Sequence, residues 1–176
     1  MKKMLLALLL TLSIASVANA RIAENRIAIG GIYLGQPVDE VISMYGQPYE
    51  TRTDGNKVTY HFFKHAVTHS DGITSQIPAL RVIVENAKVY YADVNTNGIG
   101  TKEFNTPDGI KVGSNIEKMM KAYGKADREN SFKGITTYWY LQSEAGDRPK
   151  SLALGIKDGK VWDLVCRYTA NEIIEH

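Results

Sequence analysis

The chain has 176 residues, 44% of them hydrophobic and 23% charged, with 21 basic against 19 acidic side chains and one cysteine. This composition suits a packed globule and excludes a disordered chain, and a near-neutral charge without a basic cluster gives no electrostatic reason to bind nucleic acid or anionic lipid. The lone thiol, Cys166, excludes an internal disulfide framework, so the core must hold the fold.

Residues 1–20 read as a bacterial signal peptide. Lys2 and Lys3 form the basic start, Met4–Val17 the apolar run, and Ala18-Asn19-Ala20 the small-residue cleavage site, with cleavage expected between Ala20 and Arg21. The apolar run is short for a membrane span and no second one follows. Its removal takes away two lysines and leaves 19 basic against 19 acidic residues. The mature protein is expected in the periplasm or the medium.

The next feature is "GIYLGQPVDEVISMYGQP" (Gly31–Pro48). Val38, Val41, Ile42 and Tyr45 fall on one helical face, Pro37 fits the first helical position, and Gly46 with Pro48 marks the end. A helix near 37–46 is expected, followed by strands near 57–63, 79–85 and 88–94. Leu80, Val82 and Val84 alternate with Arg81, Ile83 and Glu85, which assigns the even positions to the core. Tyr90, Ala92 and Val94 are expected to face the same way. The intervening stretch Lys64–Ala79 reads as a long loop and a secondary candidate for recognition.

The stretch "DVNTNGIGTKEF" (Asp93–Phe104) places Asp93, Asn95, Asn97 and Gly98 at the first, third, fifth and sixth positions of a calcium loop. The twelfth position, which needs a bidentate acid, is Phe104, so a connector over 99–108 is the simpler reading. From Gly109 the earlier phrase returns as "GIKVGSNIEKMMKAYGKA". Ile116, Met119, Met120 and Tyr123 form the apolar face of a helix near 115–124, and Ser114 with Glu117 fits a capping box. Strands are expected near 135–142, 151–157 and 160–168, with Trp162, Leu164 and Cys166 inward and Asp158-Gly159 a hairpin turn.

An offset of 78 residues pairs the two phrases, and one of 72 pairs Leu80–Val94 with Leu152–Cys166. The pattern predicts a duplication: a first repeat over 21–98 and a second over 109–176. The expected fold is α+β, two tandem repeats each made of a helix plus a three-stranded antiparallel meander, with the sheets joined and both helices on one side.

The doubled Gly-Ile-x-(Leu/Val)-Gly-x-x-(Val/Ile)-(Asp/Glu)-x-(Val/Met)-(Ile/Met)-x-x-Tyr-Gly phrase, each copy followed by three strands, resembles the β-lactamase-inhibitor-protein-like tandem repeat. It also resembles the SmpA/OmlA class of small outer-membrane-assembly proteins. The resemblance implies a helix-on-sheet fold whose open sheet face or loops bind other proteins. The chain departs from both: it lacks the lipid-anchoring cysteine of the second class and the disulfides of the inhibitors, and no inhibitory residue matches.

Searches for chemistry find no G-x-S-x-G, H-E-x-x-H, Gly-rich phosphate loop or Cys-x-x-Cys. His61, His65 and His69 recur every four residues, but in a strand that spacing is about 13 Å, too wide for one metal ion. With Tyr60 and Tyr138 inward, His61, Phe63, Tyr91, Trp139 and Leu141 are expected on the open sheet face, as a binding surface. The expected function is an exported, non-enzymatic protein-binding module, without cofactor, acting on another envelope or extracellular protein. The alternatives are an envelope-assembly or structural component of the bacterial outer membrane, and a calcium or small-ligand binder using the 93–104 loop through Asp93, Asn95 and Asn97.

Overall fold

Strand propensity dominates the chain, and the computed structural model, which describes residues 21–96, 104–143 and 148–169, is predominantly β. The expected signal peptide and Asn97 of the expected calcium loop lie outside the described residues. A short hairpin, β1 (Ala28–Ile29) with β2 (Ile32–Tyr33), precedes helix α1 (Val38–Tyr45). Then come β3 (Glu50–Asp54), β4 (Lys57–Thr68), β5 (Thr74–Glu85) and β6 (Lys88–Asn95). Helix α2 (Ile116–Tyr123) is followed by β7 (Arg128–Phe132), β8 (Ile135–Leu141), β9 (Lys150–Lys157) and β10 (Lys160–Tyr168). Among the described residues no helix is long and apolar enough to cross a membrane.

The α+β expectation of two helix-plus-three-strand repeats is overturned. The structure is one continuous eight-stranded antiparallel sheet in the order β3-β4-β5-β6-β10-β9-β8-β7, with two short helices. The outermost strands, β3 (ETRTD) and β7 (RENSF), have no buried residue and therefore no apolar alternation to announce them. They pair with β4 and β8 through tight turns at Gly55-Asn56 and Lys133-Gly134. Their short, polar character suits exposed sheet edges. The expected Lys64–Ala79 loop is also strand for most of its length, because β4 and β5 stay paired from Lys57–Glu85 to Thr68–Thr74.

The helix faces pack as their periodicity demands. Val38, Val41, Met119 and Tyr123 are buried, and Ile42, Tyr45, Ile116 and Met120 pack against the same cluster. That cluster is continuous with Leu80, Val82, Val84, Ala92 and Val94 of the first half and Leu152, Leu154, Leu164 and Cys166 of the second. Each fully buried aliphatic side chain contributes roughly 1.5–3 kcal/mol. The helices, at eight residues each, are too short to persist without this sheet. Burial pushes the Cys166 thiol up to about 12, so it is a core hydrophobe and not a reactive group.

The helix starts differ from expectation. Pro37 precedes α1 rather than opening it, and no side chain caps either helix. Ser114 instead accepts a bond from the Lys111 N–H at 3.1 Å in the preceding turn. The orphan helix donors find hairpin carbonyls: Val38 N–H donates to Ala87 O at 3.0 Å, and Ile116 N–H to Gly159 O at 2.9 Å. Each helix is thus pinned by the turn between the two inner strands of its half.

Those turns are equivalent under the 72-residue offset, but not equally comfortable. Asp158 and Gly159 have φ of 50° and 73°, and Asn86 and Ala87 have φ of 52° and 59°. A left-handed alanine costs about 1–2 kcal/mol relative to glycine, offset in part by glycine's larger unfolded-state entropy. Ala87→Gly is therefore expected to stabilise the protein by about 0.5–1 kcal/mol in urea denaturation; a loss of stability would contradict the turn geometry.

Candidate functional site

The sheet face opposite the helices carries the odd positions of β4 and β5 and follows the pairing across all eight strands. One cross-strand row runs Glu50–His61–Arg81–Asp93–Val165–Ala153–Trp139–Arg128. The adjacent row runs Arg52–Thr59–Ile83–Tyr91–Arg167–Ser151–Leu141. Paired residues share a face, so these two rows describe the open surface.

His61, Tyr91, Trp139 and Leu141 thus lie on the open face as expected. Phe63 does not. Its backbone adopts φ of 56°, the β4–β5 register skips it, and its ring turns to the helix side. There it meets Tyr45 edge-on at 5.8 Å and Phe104 at 6.0 Å. The sequence offers no glycine to signal this reversal. Two further bulges remove Tyr90 and Trp162 from the alternation expected of them, since the pairing passes from Val89 to Tyr91 and from Val161 to Asp163. Both aromatics line clefts at opposite ends of the inner strands. Tyr90 sits with Gly35, Arg148 and Tyr168, and Trp162 with His65, Lys157 and Gly113 in a cavity of about 480 Å³. A larger cavity of about 540 Å³ lies beside the N-terminal turn, lined by Ile27, Tyr33 and Leu34 together with the Glu24–Lys150 ion pair.

The first half of the open face is a charge network. His61 Nδ1 lies 2.9 Å from Glu50 Oε2, and Arg52 Nη2 lies 2.7 Å from Glu50 Oε1. Arg81 Nε donates to Asp93 Oδ1 at 2.6 Å, its Nη2 donates to the Tyr91 hydroxyl at 3.2 Å, and its guanidinium stacks 5.4 Å from the Tyr91 ring. Burial pushes the Tyr91 phenol up to about 12. Burial also raises the Asp93 carboxyl, with Arg81 opposing it. Asp93, the first expected calcium ligand, is therefore a strand residue already engaged by an arginine, and Asn95 is the last residue of the same strand. Among the described residues no three His, Cys, Asp or Glu side chains converge on a metal position.

The second half is built differently. The Arg167 guanidinium reaches across β9 to lie 5.5 Å from the Trp139 ring. Beside them Ser151 and Ala153 are only 0% and 2% exposed, although among the described residues no helix covers that face. Asp163, one step along β10, has its carboxylate against Gly155, where a Cβ would collide with it. Asp93 is expected as a calcium ligand and Arg81 only as an outward strand position, while Arg167 and Ser151 are not singled out, although strand alternation marks them: with Leu164 and Cys166 inward, Val165 and Arg167 must face outward.

Comparison with protein-family models, with curated proteins and with solved structures found no match.

The Arg81–Asp93 pair has a pH signature. A carboxyl raised in the folded state is destabilised there when ionised, so loss of Arg81 is felt fully above its folded value and fades as it protonates. Because the Arg81 side chain is 43% exposed, Arg81→Met is expected to cost a screened ~1–3 kcal/mol at neutral pH, shrinking as the pH falls through the acidic range in which the raised Asp93 carboxyl protonates. Thermal melts across that range check it; a pH-independent loss would contradict a charge role for the pair.

Proposed function

We propose that the exported chain is a non-enzymatic protein-binding module whose open sheet face engages another envelope or extracellular protein. One observation carries the reading. Under the 72- and 78-residue offsets the helix-side positions match in kind: Leu80 with Leu152, Val82 with Leu154, Val84 with Ile156, Val94 with Cys166. The open-face row matches nowhere. Glu50 corresponds to Arg128, His61 to Trp139, Arg81 to Ala153 and Asp93 to Val165.

Packing alone explains the matched side, because two halves sharing one core need similar volumes. Nothing in folding demands the contrast on the other side, where either half's residues are compatible with a solvated sheet. The contrast places tyrosine, tryptophan and arginine, the residue types that dominate binding energy at protein interfaces, around small, buried residues at the centre of a broad surface.

The resemblance to inhibitor-like tandem repeats is compatible with this reading, which rests on the surface alone. Cross-linking followed by affinity capture from the envelope fraction tests it with three baits. Wild type and a helix-side control, Met44→Ala at a 47%-exposed position, are expected to retain the same partner, and Trp139→Ala with Tyr91→Ala is expected to lose it by tenfold or more. Equal recovery by all three would overturn the assignment of the face.

A further inference from the structure

The two halves of the open face differ in how their arginines are neutralised. In the first half each has an acid: Arg52 with Glu50 at 2.7 Å and Arg81 with Asp93 at 2.6 Å. In the second half neither Arg128 nor Arg167 has a carboxylate within ion-pair distance among the described residues. The acid of that half's face, Asp163, is turned to the Gly155 backbone.

Arg167 is the better held of the two. Its guanidinium lies over Trp139 at 5.5 Å, and its Nε donates to Tyr168 O at 3.4 Å. The two Nη groups have no acceptor among the described residues. A half-buried guanidinium fixed by stacking has already given up much of its rotamer freedom, so a planar bidentate acceptor binds it with little further ordering.

We propose that Arg167 is the anchor that receives an aspartate or glutamate side chain of the partner protein, with Trp139 and Tyr91 as the flanking walls; this rests on the open-face reading above. The charge balance selects that occupant. On a second copy the central acids of this face are already engaged, Glu50 by Arg52 and His61 and Asp93 by Arg81, and the acid at its margin, Asp54, sits on the polar edge strand beside Lys57. A polyphosphate backbone would need a longer cationic track than two arginines supply.

The probe is a set of peptides selected from a random display library on the full protein, then synthesised with each acid and with its amide. On wild type, replacing the acid by its amide is expected to weaken binding about tenfold or more, and on Arg167→Ala by less than about twofold. Arg167→Lys, which keeps the charge but loses the fork and the stack, should fall between and guards against misfolding of the alanine variant. An equal acid-to-amide loss on Arg167→Ala overturns the anchor, as do selected peptides that need Trp139 but carry no acid; both results leave the open-face reading intact. Peptides indifferent to Trp139→Ala and Tyr91→Ala overturn both. Saturation of Arg167 by sodium acetate alone at micromolar concentration assigns the site to a free small anion, and Arg167-dependent dimers in sedimentation assign it to a second copy; each overturns the proposal.

Discussion

Everything else in this protein depends on the ladder between β6 and β10, five residue pairs from Asn95–Asp163 to Tyr91–Arg167. Each half supplies four antiparallel strands and one short helix, and each alone would leave an inner edge of unpaired backbone donors and acceptors beside a half-covered apolar face. The ladder satisfies those groups and joins the halves edge to edge. It fuses the two apolar faces into one core, where Ala92 and Val94 lie opposite Cys166 and Leu164. Both helices then have a sheet wide enough to rest on, and the inner hairpins that the ladder fixes provide the carbonyls that start them.

The same ladder creates the open face. It sets Tyr91 opposite Arg167 and Asp93 opposite Val165, so an ion-paired, hydrogen-bonded half meets an aromatic, cationic half along a straight seam. Small side chains sit between large ones there: Ser151 and Ala153, on the strand between Arg167 and Trp139, are as buried as core residues. The two four-stranded halves thereby share a surface that neither has alone, and they differ where packing leaves the sequence free to change.

Much of this was legible from the chain. The helix faces follow from 3.6-residue spacing, and the inward residues of β5, with Leu164 and Cys166 of β10, from simple alternation, because both patterns record burial directly. The edge strands β3 and β7 were not legible, since a strand exposed on both faces carries no periodic apolar signal. The joining of the halves into one sheet was visible only as a possibility, because backbone pairing between distant strands leaves little trace in side chains. Phe63, Tyr90 and Trp162 mark a third kind of failure. Bulges insert one residue into the alternation and reverse or displace a side chain, and at these positions no glycine or proline announces them. The candidate site suffered accordingly: four of its five expected residues share the open face, while the arginines that give that face its character are found by following parity from the core outward.

The central claim is that recognition occurs on the uncovered sheet face and not on the helices, clefts or turns. Hydroxyl-radical footprinting of the protein with and without its captured partner tests it most directly, because it reads side-chain exposure even where strand amides are already protected. The account predicts that Tyr91 and Trp139 lose reactivity on binding, while Tyr33 near the N-terminal turn and Phe132 at the β7–β8 turn keep theirs. Protection of Tyr33 or Phe132 with Tyr91 and Trp139 unchanged would contradict it.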